Sequence, residues 1–358
     1  MKKVLLMAAV LLGSTAAVFA QDAKALNDEV QALKAQVDKG QQALILGQGD
    51  ANQFYGLVDQ LFDKVYECDK VAEQPDAKGK VKNKFRKANA ELLNQNRPQL
   101  INGGVEAFNN NENAKALKYF GKYIDAAKHP MMEKFNYAAT DTMIPLISYY
   151  ACIAAAREEN HDAVLKYVDE AVKDKENGAS ALELKCASLK ATNKNDEFLA
   201  ALKEGLEKFP NDNYFVGNMI DYYTNNNQYA EALTYIDSQI TKNPNNDYFY
   251  FVKGYLYQTQ KNYEEADKAY AKSVSMNPNS AQAQSYAGLN LCQQAIALGE
   301  DPNVSEATLE DLYRRALPYY EKARELAPDD KTLWLNGLYT CYYRLKMTEK
   351  AAEIEKLM

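Results

Sequence analysis

Pro210-Asn211-Asp212-Asn213-Tyr214-Phe215 returns, at a numbering offset of 34 (244 − 210), as Pro244-Asn245-Asn246-Asp247-Tyr248-Phe249. Tyr229-Ala230-Glu231-Ala232 returns at the same offset as Tyr263-Glu264-Glu265-Ala266. Two separate segments that share one offset mark a unit written twice. A fixed period of this length predicts a stacked array of identical supersecondary units, each burying its apolar face only against its neighbours.

Within 247–280, Tyr250, Gly254, Tyr257, Ala266, Tyr270 and Pro278 stand at unit positions 4, 8, 11, 20, 24 and 32. That period and pattern resemble the tetratricopeptide-repeat (TPR) family. The resemblance implies an all-α fold, a right-handed α-solenoid of helix-turn-helix units. Small residues at positions 8 and 20 let the two helices of a unit approach, and large residues at 24 fill the space beside them. Read outward in this register, the array occupies residues 97–358 in about seven units: 97–130, 144–178, 179–212, 213–246, 247–280, 281–330 and 331–358.

Gly104, Ala116 and Phe120 hold positions 8, 20 and 24 of the first unit, and Ala151 and Ala163 hold 8 and 20 of the second. Asn109-Asn110-Asn111 and Asn225-Asn226-Asn227 fall at positions 13–15, where asparagine tolerates the left-handed backbone that ends a helix. The third unit carries Cys186 at position 8 but Phe198 at 20, so its helix pair is expected to splay. Residues 281–330 read as one unit with 16 added residues (50 − 34), placed around 298–312 between its helices. Both helices should therefore extend past their neighbours.

Residues 1–20 carry Lys2 and Lys3, an apolar run from Val4 to Leu12, and small residues at Val18 and Ala20. That is the pattern of a secretory signal peptide cleaved after Ala20, and it predicts a periplasmic protein of a Gram-negative bacterium. Residues 21–96 form an N-terminal helical region. In its first helix, Asp22 to Leu46, Leu26, Val30, Leu33, Val37 and Leu44 keep a 4-3 spacing broken at Gly40. The helix resembles the oligomerisation helix ahead of TPR arrays in some periplasmic proteins, which implies a homo-oligomer through residues 22–46. An amphipathic helix folded back on its own chain fits the same residues. Asp50 is placed to cap the next helix, and a third is expected from about Ala77 to Gln95.

The chain carries a net charge of −7, or −9 once Lys2 and Lys3 are removed with the leader, which argues against nucleic acid as a partner. Lys78, Lys80, Lys82, Lys84, Arg86 and Lys87 dissent, crowding into ten residues without an acid. They suit a peripheral anionic contact or a solvated helix face. No segment after the leader has the length and apolarity of a membrane span.

Catalytic signatures are lacking: no H-E-x-x-H, C-x-x-C, G-x-S-x-G or P-loop occurs, and nothing implies a metal or cofactor. His129 and His161 read as solvated loop residues. The five cysteines, Cys68, Cys152, Cys186, Cys292 and Cys341, read mostly as buried thiols at small-residue sites.

The 26 tyrosines ask for more than a core. Resemblance to TPR arrays implies a concave surface lined by positions 2, 5, 6, 9, 12 and 13 of the first helix. In this chain those positions give Tyr214, Asn218, Asp221 and Asn225, then Tyr248, Phe251, Tyr255 and Gln258. Tyr286, Leu289 and Gln293 follow, and Tyr339, Tyr342 and Tyr343 come last. Aromatic rings beside amides suit capture of a protein or peptide segment by a non-enzymatic scaffold. Packing of the rings on neighbouring helices, a self-associating structural role, or binding of a glycan or small ligand also fit. The family's lysine-based carboxylate clamp is unmatched, because position 5 reads Glu183, Gly217, Phe251 and Ser285.

Overall fold

The computed structural model describes residues 2–75, 81, 83–210 and 212–358, with residues 2–21 described as backbone only. Among the described residues every regular element is a helix. In chain order these are α1 (Lys2–Ile45), α2 (Ala51–Ala72), α3 (Arg86–Asn109), α4 (Asn113–Ala126) and, after a 3-10 turn at Pro130–Phe135, α5 (Tyr137–Thr140). Then come α6 (Ile144–Arg157), α7 (His161–Ala171), α8 (Gly178–Ala191), α9 (Asn195–Lys208), α10 (Asn213–Asn225) and α11 (Tyr229–Lys242). The chain ends with α12 (Asp247–Thr259), α13 (Tyr263–Met276), α14 (Ala281–Leu298), α15 (Glu306–Leu326), a 3-10 turn at Lys331–Leu333, α16 (Leu335–Arg344) and α17 (Thr348–Glu355). The chain divides into two compact units, Met1–Gly205 and Leu206–Met358.

The register is written into the backbone. Glu159, Asn193, Asn227 and Lys261 are all left-handed, at φ 52°, 56°, 58° and 59°. Each follows the last by one period. Helix caps keep the same step: Asp212, Asn246 and Ser280 accept the amide hydrogens of Tyr214, Tyr248 and Ala283 at 2.9, 3.1 and 3.2 Å. Such caps satisfy amides that a helix start leaves orphaned, each worth about 1 kcal/mol. The left-handed turn at Glu159 corrects the second unit by one residue. It places Cys152 rather than Ala151 at position 8, one period before Cys186. Both thiols are fully buried.

Close approach of paired helices follows the small-residue rule. A Cβ on Gly254 would lie 2.7 Å from the Tyr270 ring, so position 8 is small because the aromatic at position 24 lies over it. Where that rule fails, the pair opens. α10 carries the buried Ile220 at position 8, and its backbone approaches α11 less closely than α12 approaches α13. Phe198 acts similarly at position 20: α8 and α9 hardly come within 8 Å of one another, the splay expected from the sequence. The inserted residues lengthen α14 to 18 and α15 to 21 residues, against 13 and 14 for α12 and α13.

In the unit Met1–Gly205, the apolar seam of α1 is already occupied. Val30 and Val37 are fully buried in one core with Phe54, Val58, Leu61 and Phe62 of α2, and Leu26, Leu33 and Leu44 pack on its margin. Gly40 interrupts the seam because the Phe54 ring would stand 3.2 Å from a Cβ there. The helix therefore folds back on its own chain, and the seam proposed for a second copy is covered. Asp50 caps α2 as expected, accepting from the Gln53 amide at 3.1 Å.

Two boundaries in this unit differ from the sequence expectation. The third helix starts at Arg86 rather than near Ala77. A helix ending near Gln95 and another beginning at Arg97 are one helix, α3, running through Pro98. The extra residues after α4 form the 3-10 turn and α5, held down by a side chain the repeat pattern does not predict. Arg97 is buried, with its guanidinium 3.6 Å from the centre of the Tyr123 ring and 4.0 Å from that of Tyr137. Its Nε donates to the Tyr123 carbonyl at 3.1 Å, and its Nη1 pairs with Asp141.

Candidate functional site

Some of the predicted groove residues line two concavities of the unit Leu206–Met358, and the rest line neither. The larger, about 630 Å³, lies between α12 and α14. α12 contributes Tyr255, Gln258 and Thr259, and α14 contributes Tyr286, Leu289, Gln293, Ile296 and Ala297, with Lys261, Tyr263 and Glu300 at the turns. On α14 the residues 286, 289, 293 and 296 follow a 3-4 spacing, which aligns them on one face. Three large apolar side chains that line it reach solvent: Tyr255 at 37%, Leu289 at 36% and Ile296 at 56% exposure.

A directed hydrogen-bond chain sets its polar edge. The buried Tyr270 hydroxyl donates to Gln258 Oε1 at 2.6 Å, and Gln258 Nε2 donates to Gln293 Oε1 at 3.1 Å. Burial pushes the Tyr270 hydroxyl well above its ordinary pKa, so it stays a neutral donor. The half-buried Gln293 lines the concavity, and no protein acceptor among the described residues takes up its NH₂. Nearby on α14, the buried Asn290 donates its amide to the Tyr263 carbonyl at 2.9 Å.

The other aromatic residues of α12 pack rather than line this space. Tyr248 stacks on Phe251 at 6.0 Å, and Phe251 meets Tyr286 edge to face at 5.2 Å. Tyr255 joins the same series against Tyr286 at 6.4 Å. Tyr248 is half-buried, its hydroxyl 3.0 Å from where a Cβ on Gly217 would stand. Desolvation raises its pKa. These rings are the rigid backing of the site. The half-buried Asn218 bonds the Tyr214 carbonyl at 2.9 Å, and Tyr214 is half-buried. Asp221 and Asn225 are exposed, and neither belongs to the lining of these concavities.

Tyr339, Tyr342 and Tyr343 belong to a second concavity of about 520 Å³, with Glu306, Arg344 and Lys346. Tyr339 stacks on Tyr343 at 6.0 Å, and Tyr343 is 64% exposed. Tyr342 is buried and donates its hydroxyl to Glu321 at 2.9 Å, so it serves the core more than the surface.

Outside the groove, three expectations change. Arg86 is not a free cation: it pairs with Asp69 of α2 at 3.4 Å and with Glu73, the C-cap of α2, because the start of α3 brings it against both acids. Lys84 lies 5.1 Å over the Phe85 ring and Lys87 is exposed, while Lys78, Lys80 and Lys82 lie outside the described residues. His129 is no solvated loop residue. It stacks on Tyr66 at 4.1 Å beside a concavity of about 540 Å³ in the unit Met1–Gly205, and burial lowers its pKa. His161 is half-buried, 3.4 Å from the Ser188 hydroxyl. The lysines around that concavity are paired: Lys122 with Asp59 and Asp63, Lys166 with Asp125, Lys118 with Asp59. It therefore presents little net field to an anion. Among the described residues no group of three or more His, Cys, Asp or Glu side chains could hold a metal ion, and no helix is long and apolar enough to cross a membrane.

Comparison with known proteins identifies one repeat. Residues 248–280 match the tetratricopeptide repeat family, the stretch that holds Tyr248, Gly254 and Tyr270. The chain carries a tetratricopeptide repeat at residues 248–280. No curated protein matches the TPR chain significantly. Among solved structures it is similar to the C-terminal part of a TPR repeat-containing protein from Cytophaga hutchinsonii, at 18% identity and a TM-score of 0.45, covering 71% of this chain and 92% of that one. A TPR protein from Parabacteroides merdae aligns at 15% identity and a TM-score of 0.41, covering 60% and 79%. PilW, a type IV pilus biogenesis factor, aligns at 15% and 0.42, covering 60% and 92%. Likeness at this level bears on neither partner nor activity.

The sequence reading missed Ile296, Ala297 and Glu300. They stand on or just past the turns that the insertion adds to α14, so the 16 added residues (50 − 34) were their signal. The insertion builds one wall of the concavity.

Proposed function

We propose that this TPR protein is a non-enzymatic scaffold that binds an extended protein segment between α12 and α14. The observation that carries the reading is the Tyr270–Gln258–Gln293 chain, which leaves the Gln293 amide donor without a protein partner at the wall of a concavity rimmed by Tyr255, Leu289 and Ile296. A peptide carbonyl matches that donor, and its apolar side chains match the exposed rim. The rigid ring series behind the rim lowers the entropy cost of binding.

We further propose that the chain is exported to the periplasm and begins at Gln21 after cleavage. Support comes from Lys2 and Lys3, the apolar run and the small residues at 18 and 20. N-terminal sequencing of the protein recovered from cells tests this, a start at Met1 being the contrary result.

For the binding site, a displayed random-peptide library panned on the full chain is the test. Enriched peptides should lose at least tenfold in affinity with Ile296→Asp or Leu289→Arg. Enriched peptides indifferent to both substitutions, or no enrichment, would overturn the reading.

A further inference from the structure

Cys292 of α14 and Cys341 of α16 lie 49 residues apart in sequence, yet their sulfur atoms are 3.8 Å apart in a buried site. The helices that carry them approach within 8 Å at the α-carbon level. We propose that Cys292 and Cys341 form a disulfide when the chain meets a dithiol–disulfide oxidant, joining α14 to α16.

A disulfide needs its sulfurs about 2.05 Å apart, with Cα atoms no more than about 6.8 Å apart. Closing 3.8 Å to that length takes about 1.8 Å, within reach of side-chain rotation at two cysteines that already face each other. The other three thiols are placed differently. Cys68 donates to the Ala23 carbonyl at 3.5 Å and Cys152 to the Val164 carbonyl at 3.7 Å. Burial pushes Cys68 up to about 11, and Cys152 and Cys186 each to about 12. Cys292 goes the other way, because hydrogen bonding from Cys341 and Tyr320 outweighs burial and holds its thiol below the ordinary range. Cys341 is raised by its hydrogen bond with Cys292 and by burial. Either thiol can make the first attack, Cys292 for example.

The step balances as one thiol–disulfide exchange repeated within the protein. The Cys292 thiolate attacks one sulfur of the oxidant R–S–S–R and releases RS⁻, which takes up the proton Cys292 gave up. The Cys341 thiolate then attacks the Cys292 sulfur and releases the second thiol. Two protein thiols are oxidised and one external disulfide is reduced to two RSH. Both sulfurs are buried, so exchange takes place as the unit folds or when it opens.

The bridge would bear on the binding surfaces. Cys292 precedes Gln293 of the larger concavity, and Cys341 lies between Tyr339 and Tyr342 of the smaller. A cross-link there ties together the two helices that present them. Its formation in the cell rests on the proposed export to an oxidising compartment. Its formation in a test tube does not, so the two readings can fail separately.

The experiment refolds the full chain, fully reduced, in a glutathione buffer rich in the disulfide form. Free thiols are then counted in denaturant, and peptides are mapped without reduction. The expected result is a fall from five free thiols to three (5 − 2), with the Cys292 and Cys341 peptides joined. The melting temperature of the oxidised chain should rise by about 5–10 °C. Cys292→Ser and Cys341→Ser should each keep all four remaining thiols under the same treatment. Five free thiols after refolding, or a bridge mapped to any other pair, would overturn the proposal. The native-chain map decides the matter even where a variant folds poorly.

Discussion

Replacing Arg97 by leucine should be the most damaging single change in the unit Met1–Gly205. The guanidinium is sandwiched between Tyr123 and Tyr137 and pairs with Asp141, whose side chain is only 9% exposed. Burial alone would push the Asp141 carboxyl up, but hydrogen bonds from Tyr123 and Arg97 outweigh it and hold the carboxyl below its ordinary value. With Arg97 gone, a carboxylate is left buried without a counter-ion, a change that costs about 3–5 kcal/mol. For a unit of this size that is a fall of about 10 °C in melting temperature, read by the loss of helical circular dichroism. Arg97→Leu combined with Asp141→Leu should recover much of the loss, because an apolar pair replaces the buried ions without leaving either one orphaned.

The dependence on pH has a definite sign. A depressed folded pKa means the pair stabilises the native chain above the ordinary carboxylate value and loses that contribution as pH falls through the lower folded one. In Arg97→Leu, burial dominates and raises the carboxyl, so the deficit should begin to shrink above pH about 4, as the pH falls through that raised value, and go on shrinking below it. A single-variant loss under about 1 kcal/mol, or a double variant whose losses simply add, would refute this account of the clip.

Other substitutions probe the repeats and the site. Gly254→Val should lose about 1–3 kcal/mol, because its side chain must displace the Tyr270 ring; thermal melting checks it. Gln258→Leu strands the Tyr270 hydroxyl in the core and should cost about 1–3 kcal/mol in urea unfolding, most of it recovered by Tyr270→Phe in the same chain. Val30→Asp puts a carboxylate into the α1–α2 core and should destabilise the chain by several kcal/mol, with its mass by light scattering unchanged. A changed mass at undiminished stability would instead restore the reading of α1 as an assembly helix.

Much of the array was legible because its period is enforced by the backbone. A helix pair needs a left-handed residue to turn and a cap to restart, and both recur once per period. The glycine at 254 and the ring at 270 could be paired from sequence because small and large residues are complementary at fixed positions. Arg97 could not be found that way. Its partners Tyr123, Tyr137 and Asp141 are joined to it only by tertiary structure, and two of them lie on an insertion outside the period. Long-range pairs were also silent: Cys292 and Cys341 stand 49 residues apart, off the repeat step, because the insertion lies between them. The split of the tyrosines was half legible. Helical position selects the face on which Tyr248 and Tyr255 lie, but their exposure depends on what packs opposite. Gly217 gives Tyr248 a seat, whereas the longer α14 leaves Tyr255 at the rim of a concavity.

The central claim, a peptide site between α12 and α14, is tested most directly by fluorescence anisotropy of a labelled, library-selected peptide. It should be titrated with the native chain, Ile296→Asp and Tyr343→Asp. Weakening of at least tenfold with Ile296→Asp, and little change with Tyr343→Asp in the other concavity, is the expected result. Equal weakening by both, or weakening by Tyr343→Asp alone, would contradict it.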